Sequence, residues 1–177
     1  MTGSSRWITH GTRRVYASPW VNLDLDDVEI PGGSRFDHHV VRFPRPSVGV
    51  VVLRSDEVLL LWRHRFATDR WGWEIPAGWA EPGEDLAGAA AREALEETGY
   101  RVADLSPLTT YTPLSGISSQ VYQLFVGTGV SRVGDPEAAE ADRVEWMPLT
   151  EVKRLMLAGR ISDGPSLTAL AFYLATR

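Results

Sequence analysis

An α/β fold is the architecture this sequence predicts: a mixed β-sheet covered by helices on both faces, with a smaller β unit ahead of it. Three observations predict it. Residues 48–53 are a nearly unbroken β-branched run, as in a strand buried on both sides. Residues 86–98 are helical in pattern and rich in small side chains, with Asp85 placed to cap the start and Gly99 to stop the end. Strand-like groups recur before, between and after the helical stretches, with no internal repeat.

Taken in order, the first ten residues are mostly polar and small, and are expected to be poorly ordered. Residues 11–44 are read as an N-terminal β unit. In it, residues 13–25 form one strand, Pro31-Gly32-Gly33 a turn, and residues 36–43 the returning strand. Residues 45–177 are read as the main domain. After the buried run at 48–53, Arg54-Ser55-Asp56-Glu57 makes a polar turn into a strand at 58–62, and Trp71, Trp73 and Ile75 alternate toward Pro76-Ala77-Gly78. The helix over 86–98 follows, and Gly88 inside it costs about 1 kcal/mol against alanine. Further strands are expected at 102–111, 120–126 and 143–147. Thr150 is the expected cap of a helix over 151–158, and Gly164-Pro165 precede a last helix over 166–175.

Composition narrows the function classes. The chain has 177 residues and 44% hydrophobic content, enough for one domain with a core of its own. The formal net charge of -5 argues against a nucleic-acid partner, which calls for a basic face. Acid clusters suit divalent cations instead. With no cysteine, disulfides, thiolate metal sites and a Cys nucleophile are excluded. No stretch has the apolar length of a membrane span or a secretory signal, so a cytoplasmic protein is expected.

On the helix over 86–98, Ala87, Ala91, Ala94, Leu95 and Thr98 are expected on one face. Glu93 and Glu97 stack four residues apart on another, with Glu96 beside them and Arg92 in reach of Glu96. Like charges so spaced, near a helix C-terminus, each oppose helix formation by some tenths of a kcal/mol. A divalent metal among them would offset both costs. The plain alternative is a solvated acidic face.

The surrounding sequence decides between them. Gly78 is followed after five residues by Glu84, then after seven by Arg92-Glu93-Ala94-Leu95-Glu96-Glu97-Thr98-Gly99-Tyr100. This resembles the Nudix box, G-x5-E-x7-R-E-U-x-E-E-x-G-U with U apolar, and all seven fixed charged or glycine positions match. Ala94 is a small residue for the first U, and Tyr100 a polar-tipped one for the last. The resemblance implies a Nudix-type α/β/α sandwich and Mg²⁺-dependent hydrolysis (Mn²⁺ as a substitute) of a nucleoside diphosphate linked to another moiety. By position it implies Glu93, Glu96 and Glu97 as metal ligands, Glu84 as a further ligand through water or a supporting group, and the Ala77 carbonyl as a backbone ligand. Arg92 would orient the glutamates. The chemistry suits the pattern, because a diphosphate repels hydroxide until a cation neutralises its oxygens and aligns the water.

Beyond the box, residues 48–65 followed by Trp73-Glu74-Ile75-Pro76-Ala77-Gly78 resemble the ADP-ribose pyrophosphatase group. That group ends a strand in Gln-aromatic-Arg. Here the counterpart is Arg63-His64-Arg65, which implies Arg65 as a contact for substrate phosphate, with Glu74 alongside. The N-terminal β unit is also similar to that group, where it helps build a dimer, and a homodimer is expected. Two positions depart from the pattern: Leu114-Ser115-Gly116 stands for Ser-Pro-Gly, and Gln120 for an acid. A Glu on a late loop serves as general base in similar enzymes. Residues 134–142 carry Glu137 and Glu140, and Glu140 lies nearer the matching place.

Seven tryptophans are present. Trp20, Trp71 and Trp79 have rings able to stack on a nucleobase, but core packing is the expectation for each, and Trp73 and Trp146 are expected in the core. His38 and His39 are adjacent on one strand and point opposite ways, which argues against a shared metal site. The expected function is hydrolysis of a nucleoside diphosphate sugar, a small-molecule substrate. The alternatives are cleavage of modified nucleoside triphosphates and a non-catalytic ligand sensor; the N-terminal unit argues against the first and the intact box against the second.

Overall fold

The structure is a computed structural model that describes residues 6–137 and 141–177. It divides into two units: Met1–Pro44 with Thr112–Gln120, and Arg45–Tyr111 with Val121–Arg177.

The first unit is a three-stranded antiparallel sheet, β1 (Ile8–Ala17), β2 (Asn22–Glu29) and β3 (Arg35–Arg42), in that order. The single strand expected over 13–25 is two. Ser18 is the reason: its Oγ accepts from the Trp20 and Val21 amides at 3.2 and 3.0 Å and donates to the Val21 carbonyl. That local bonding, with Pro19 unable to donate to a ladder, turns the chain. Strand β1 starts at Ile8, three residues before the expected start of the unit. Residues 112–120 join this unit through β3, where the Val41 amide donates to Ile117 O at 2.8 Å and the Ser119 amide to Val41 O at 3.1 Å.

The second unit holds β4 (Ser47–Arg54), β5 (Glu57–Arg65), β6 (Arg70–Glu74), β7 (Ala77–Trp79), α1 (Leu86–Thr98), β8 (Tyr100–Tyr111), β9 (Tyr122–Arg132), β10 (Arg143–Pro148), α2 (Leu149–Leu157) and α3 (Gly164–Ala175). The sheet order is β10-β5-β4-β9-β8, with β6 added to β5 and β7 to β4. Strands β4 and β9 run parallel and the other pairs antiparallel, so the sheet is mixed as expected. Strand β4 shows why its sequence is so uniformly apolar. Val48, Val50 and Val52 face α1 and its Ala89, Ala90 and Ala94. Val51 and Leu53 face α2 and α3, against Leu149, Val152, Leu155 and Leu170. Each such valine, fully buried, contributes about 1.5–3 kcal/mol.

Helix α1 has the expected limits because its end residues set them. Asp85 accepts from the Gly88 amide at 2.9 Å, and Gly99 takes φ 74° as a left-handed stop. Gly88 has a purpose too: a side chain there would crowd the Asp85 carboxylate. The buried face differs from expectation. Ala89, Ala90, Ala94, Glu97 and Thr98 are buried, whereas Ala87, Ala91 and Leu95 are only partly so. Five alanines between 87 and 94 offer several equivalent apolar stripes, and packing against β4 selects one.

Helix α2 starts at Leu149 with Pro148 ahead of it, and Thr150 is not its cap. Proline fixes φ near the helical value, which suits a helix entrance. Helix α3 begins at Gly164 rather than 166, because Asp163 caps it by accepting from the Ser166 amide at 2.9 Å. Trp73 is core, while Trp146 is half-buried, edge-on to Tyr100 with Arg54 over its ring. Among the described residues, no helix is long and apolar enough to cross a membrane.

Candidate active site

Three local features bring the box residues together. Strand β7 delivers Ala77 and Gly78 beside α1, the turn at Glu81–Glu84 returns the chain, and α1 presents its acids along the side nearest β7. Gly78 allows this closeness: a Cβ there would overlap the Glu93 carboxylate. Glycine is required at that point by approach and not by backbone angle.

Arg92 is the hub. Its Nε and Nη2 donate to the two Glu84 oxygens at 2.9 and 3.0 Å, its Nη1 to Glu93 Oε1 at 2.8 Å and Glu96 Oε2 at 2.9 Å, and its Nη2 also to the Trp79 carbonyl at 2.9 Å. These bonds use the fork of a guanidinium in a way a lysine could not. Glu84 also accepts from the Glu81 amide at 2.8 Å, and with Arg92 first among the causes its pKa is lowered to about 2.

Glu97 is placed differently. It is 3% exposed and lies within the buried side of the helix. Arg63 Nη2 donates to its Oε1 at 2.7 Å, and the Ala77 amide to its Oε2 at 2.9 Å. Burial nevertheless dominates and pushes its pKa up to about 7, with the Glu93 charge adding to the rise. Arg63 was missed from sequence. Its signal was a charged residue continuing the apolar run 58–62, since a buried guanidinium requires a carboxylate.

Glu84, Glu93 and Glu96 thus all pair with Arg92, and Glu97 pairs with Arg63. The crowding of carboxylates and their hard oxygen donors fit a divalent cation. The carboxylates are turned to the arginines, however, and no three of them converge on one point among the described residues. Binding an ion would require Glu93 and Glu96 to exchange contacts with Arg92.

Arg65 and Glu74 form a second pair. Arg65 Nε lies 3.0 and 3.1 Å from the two Glu74 oxygens, with Nη2 at 2.6 Å. Glu74 is buried and Arg65 half-exposed, at the wall of a 620 Å³ cavity lined also by Thr68, Arg70, Gly72 and Asp163. Arg63 and Arg65 are two apart on β5 and so share its face toward α1. Glu137 is exposed, and its amide donates to Glu96 O at 2.9 Å, which ties this loop to the end of α1. Glu140 lies outside the described residues. Trp20 belongs to the first unit, 61% exposed at the β1–β2 turn. Trp71 is half-exposed and stacked on Trp62 at 6.0 Å, so the core packing expected for it is not found. Trp79 is half-buried under the Arg45 guanidinium.

Comparison with known proteins places this geometry in a family. Residues 43–169 match the NUDIX domain, and residues 7–41 match the nucleoside diphosphate sugar hydrolase N-terminal domain. The chain is 40% identical over 168 residues to the CMP-5'-(N-acetyl-N-hydroxy-3-aminopropyl)phosphonate hydrolase of Streptomyces rubellomurinus (strain ATCC 31215), covering 94% of this chain and 82% of the relative. It is 31% identical over 152 residues to an ADP-ribose pyrophosphatase of Mycobacterium tuberculosis (strain ATCC 25618 / H37Rv), covering 84% and 73%. A crystal structure of an ADP compounds hydrolase superposes with a TM-score of 0.84 at 20% identity, covering 99% of this chain and 96% of the other, and so shares the fold. The chain therefore belongs to the Nudix hydrolases, as a pyrophosphohydrolase of nucleoside diphosphate linkages that carries the N-terminal domain of the nucleoside diphosphate sugar hydrolases.

Proposed function

We propose that the protein hydrolyses the diphosphate linkage of a nucleoside diphosphate sugar such as ADP-ribose, with Mg²⁺ as its ion and Mn²⁺ as a substitute. The observation that carries this reading is the junction of an intact box with an N-terminal domain of the sugar-hydrolase type. In this reading Glu93, Glu96 and Glu97 hold the ion, supported by the Ala77 carbonyl and Glu84. Bound there, the cation would neutralise phosphate oxygens and lower the pKa of a water. Arg92 is the positioning residue, since four of its hydrogen bonds already fix the directions of Glu84, Glu93 and Glu96. Arg65, held by Glu74, offers its exposed edge to a phosphate. Glu140 is the proposed general base, with Glu137 the other candidate on that loop.

One observation favours a second reading. The Streptomyces relative spans 94% of this chain and is named for a CMP-linked phosphonate, so a nucleotide joined to a phosphonate is the other substrate class. The deciding experiment is product release with Mg²⁺ from ADP-ribose, other nucleoside diphosphate sugars, a CMP-linked phosphonate and nucleoside triphosphates. Preference for a diphosphate sugar supports the first reading, and preference for the phosphonate the second. Turnover of triphosphates alone contradicts both.

A homodimer belongs to the same proposal. The first unit leaves Trp7, Ile8, Val15, Tyr16 and Trp20 about half-exposed, more apolar surface than a small sheet keeps in water. Light scattering at micromolar concentration should give twice the 19.6 kDa chain mass, and the chain mass itself would contradict it.

A further inference from the structure

The cavity beside Arg65 contains a cation that the reaction centre does not use. Strands β5 and β6 form a hairpin in which Arg63 is opposite Gly72 and Arg65 is opposite Arg70. Arg63, Arg65, Arg70, Gly72 and Glu74 share one face of it, since side chains alternate along each strand. Positions two apart stand about 7 Å from each other on that face. Leading away from Glu97, the face therefore carries first Arg63 and then, one step farther out, Arg65 and Arg70.

The two outer arginines are not equivalent. Arg65 reaches back along the hairpin to Glu74, which is opposite Leu61, and both Glu74 oxygens accept from it. It thus leans toward the carboxylate helix. Asp163, the other acid on the cavity wall, is committed to the start of α3, where its Oδ2 accepts from the Ser166 amide and hydroxyl at 2.9 and 2.6 Å. Arg70 is exposed, and its side chain has no hydrogen bond or ion pair among the described residues. Gly72 places no side chain between Arg70 and Glu74, which keeps the 620 Å³ space open.

We infer that this cavity is the subsite for the part of the substrate beyond the diphosphate, and that Arg70 selects substrates whose distal group bears a negative charge. The inference rests on the diphosphate-hydrolase reading above. With the wall's other charges paired internally, one guanidinium is left to meet an incoming anion such as a carboxylate or a further phosphoryl group.

UDP-glucose and UDP-glucuronate differ by one carboxylate on the sugar, so their affinity ratio cancels any preference for the base. Each is titrated by calorimetry, without divalent ion, into the full chain and its Arg70→Ala and Arg70→Lys variants. Wild type should bind the acid sugar roughly tenfold more tightly, although a chain of net charge -5 would by itself repel the added charge. Arg70→Ala should bring the ratio to one or below with UDP-glucose affinity unchanged, and Arg70→Lys should keep part of the preference. A wild-type ratio of one, no binding of either compound, or an equal loss of both in Arg70→Ala overturns the inference. The last result would assign Arg70 to the diphosphate itself. Because binding is read apart from turnover, a wild type that cleaves diphosphates without this preference fails here alone. One that shows the preference but cleaves nothing fails the proposed function.

Discussion

Two arginine–carboxylate networks occupy the two units, and they are built inside out from one another. In the first unit acids are enclosed by arginines: Asp24, fully buried, is held by Arg14 and Arg42, and Arg42 also holds Asp26. Two guanidiniums meet two carboxylates, and the bond from Arg14 leads in lowering the pKa of Asp24. In the second unit an arginine is enclosed by acids. Arg92 is shared by Glu84, Glu93 and Glu96, while Glu97 is buried against Arg63 with its pKa raised to about 7. A balanced network is complete as folded. A network in which carboxylates crowd one arginine suits a further cation, and that contrast is the physical ground for the cation site proposed above.

The comparison can be broken most sharply at Glu97. Glu97→Gln should lower the hydrolysis rate roughly a thousandfold, read as kcat with saturating Mg²⁺. It should also change how stability depends on pH. Glu97 binds its proton more tightly folded than unfolded, so metal-free wild type loses stability as pH rises from about 4.5 to about 7, and little more beyond. The span corresponds to about 3 kcal/mol. Urea unfolding across that window should show the slope in wild type and not in the variant, and equal slopes would refute the raised pKa.

Arg92→Ala comes next. It frees three carboxylates together, and activity should fall by about a hundredfold through lost ion affinity, with Arg92→Lys recovering little. A variant rescued fully by higher Mg²⁺ sharpens the account, placing the whole loss in ion binding. Wild-type activity at limiting Mg²⁺ contradicts it. Gly78→Ala should cost about tenfold, because the new methyl displaces the Glu93 carboxylate while the fold is kept.

The smallest effect on chemistry should come from the first unit. Arg14→Ala should lower the melting temperature at neutral pH and leave kcat per folded molecule unchanged. Asp24 has its pKa lowered in the fold, so the contribution is present above its ordinary value and fades as pH falls through the folded one. The variant's deficit should therefore shrink in acid. A loss of kcat with unchanged melting would reverse the roles of the two networks.

What was legible in the sequence depended on range. Asp85 and Gly99 fix the ends of α1 by contacts within a few residues, and those limits were read correctly. The alternation of β4 between two buried faces was equally plain, because strand geometry needs no partner to be named. Local chemistry was also misread, as at Ser18, whose hydroxyl ends a strand that the apolar pattern carried on to residue 25. The pairing of Arg63 with Glu97 spans 34 residues and depends on how β5 lies under α1, so neither its geometry nor the burial of Glu97 could be read from spacing. The box identified the acids as a group, but it did not say that one of them would sit inside the core.

The most direct measurement is Mn²⁺ titration followed by electron paramagnetic resonance, in wild type and in the Glu93→Gln, Glu97→Gln and Arg14→Ala variants near pH 7. The account predicts saturable binding in wild type and in Arg14→Ala, with affinity reduced at least roughly tenfold in each glutamine variant. Undiminished binding in the glutamine variants would contradict the claim that the carboxylates crowded on α1 are the cation site.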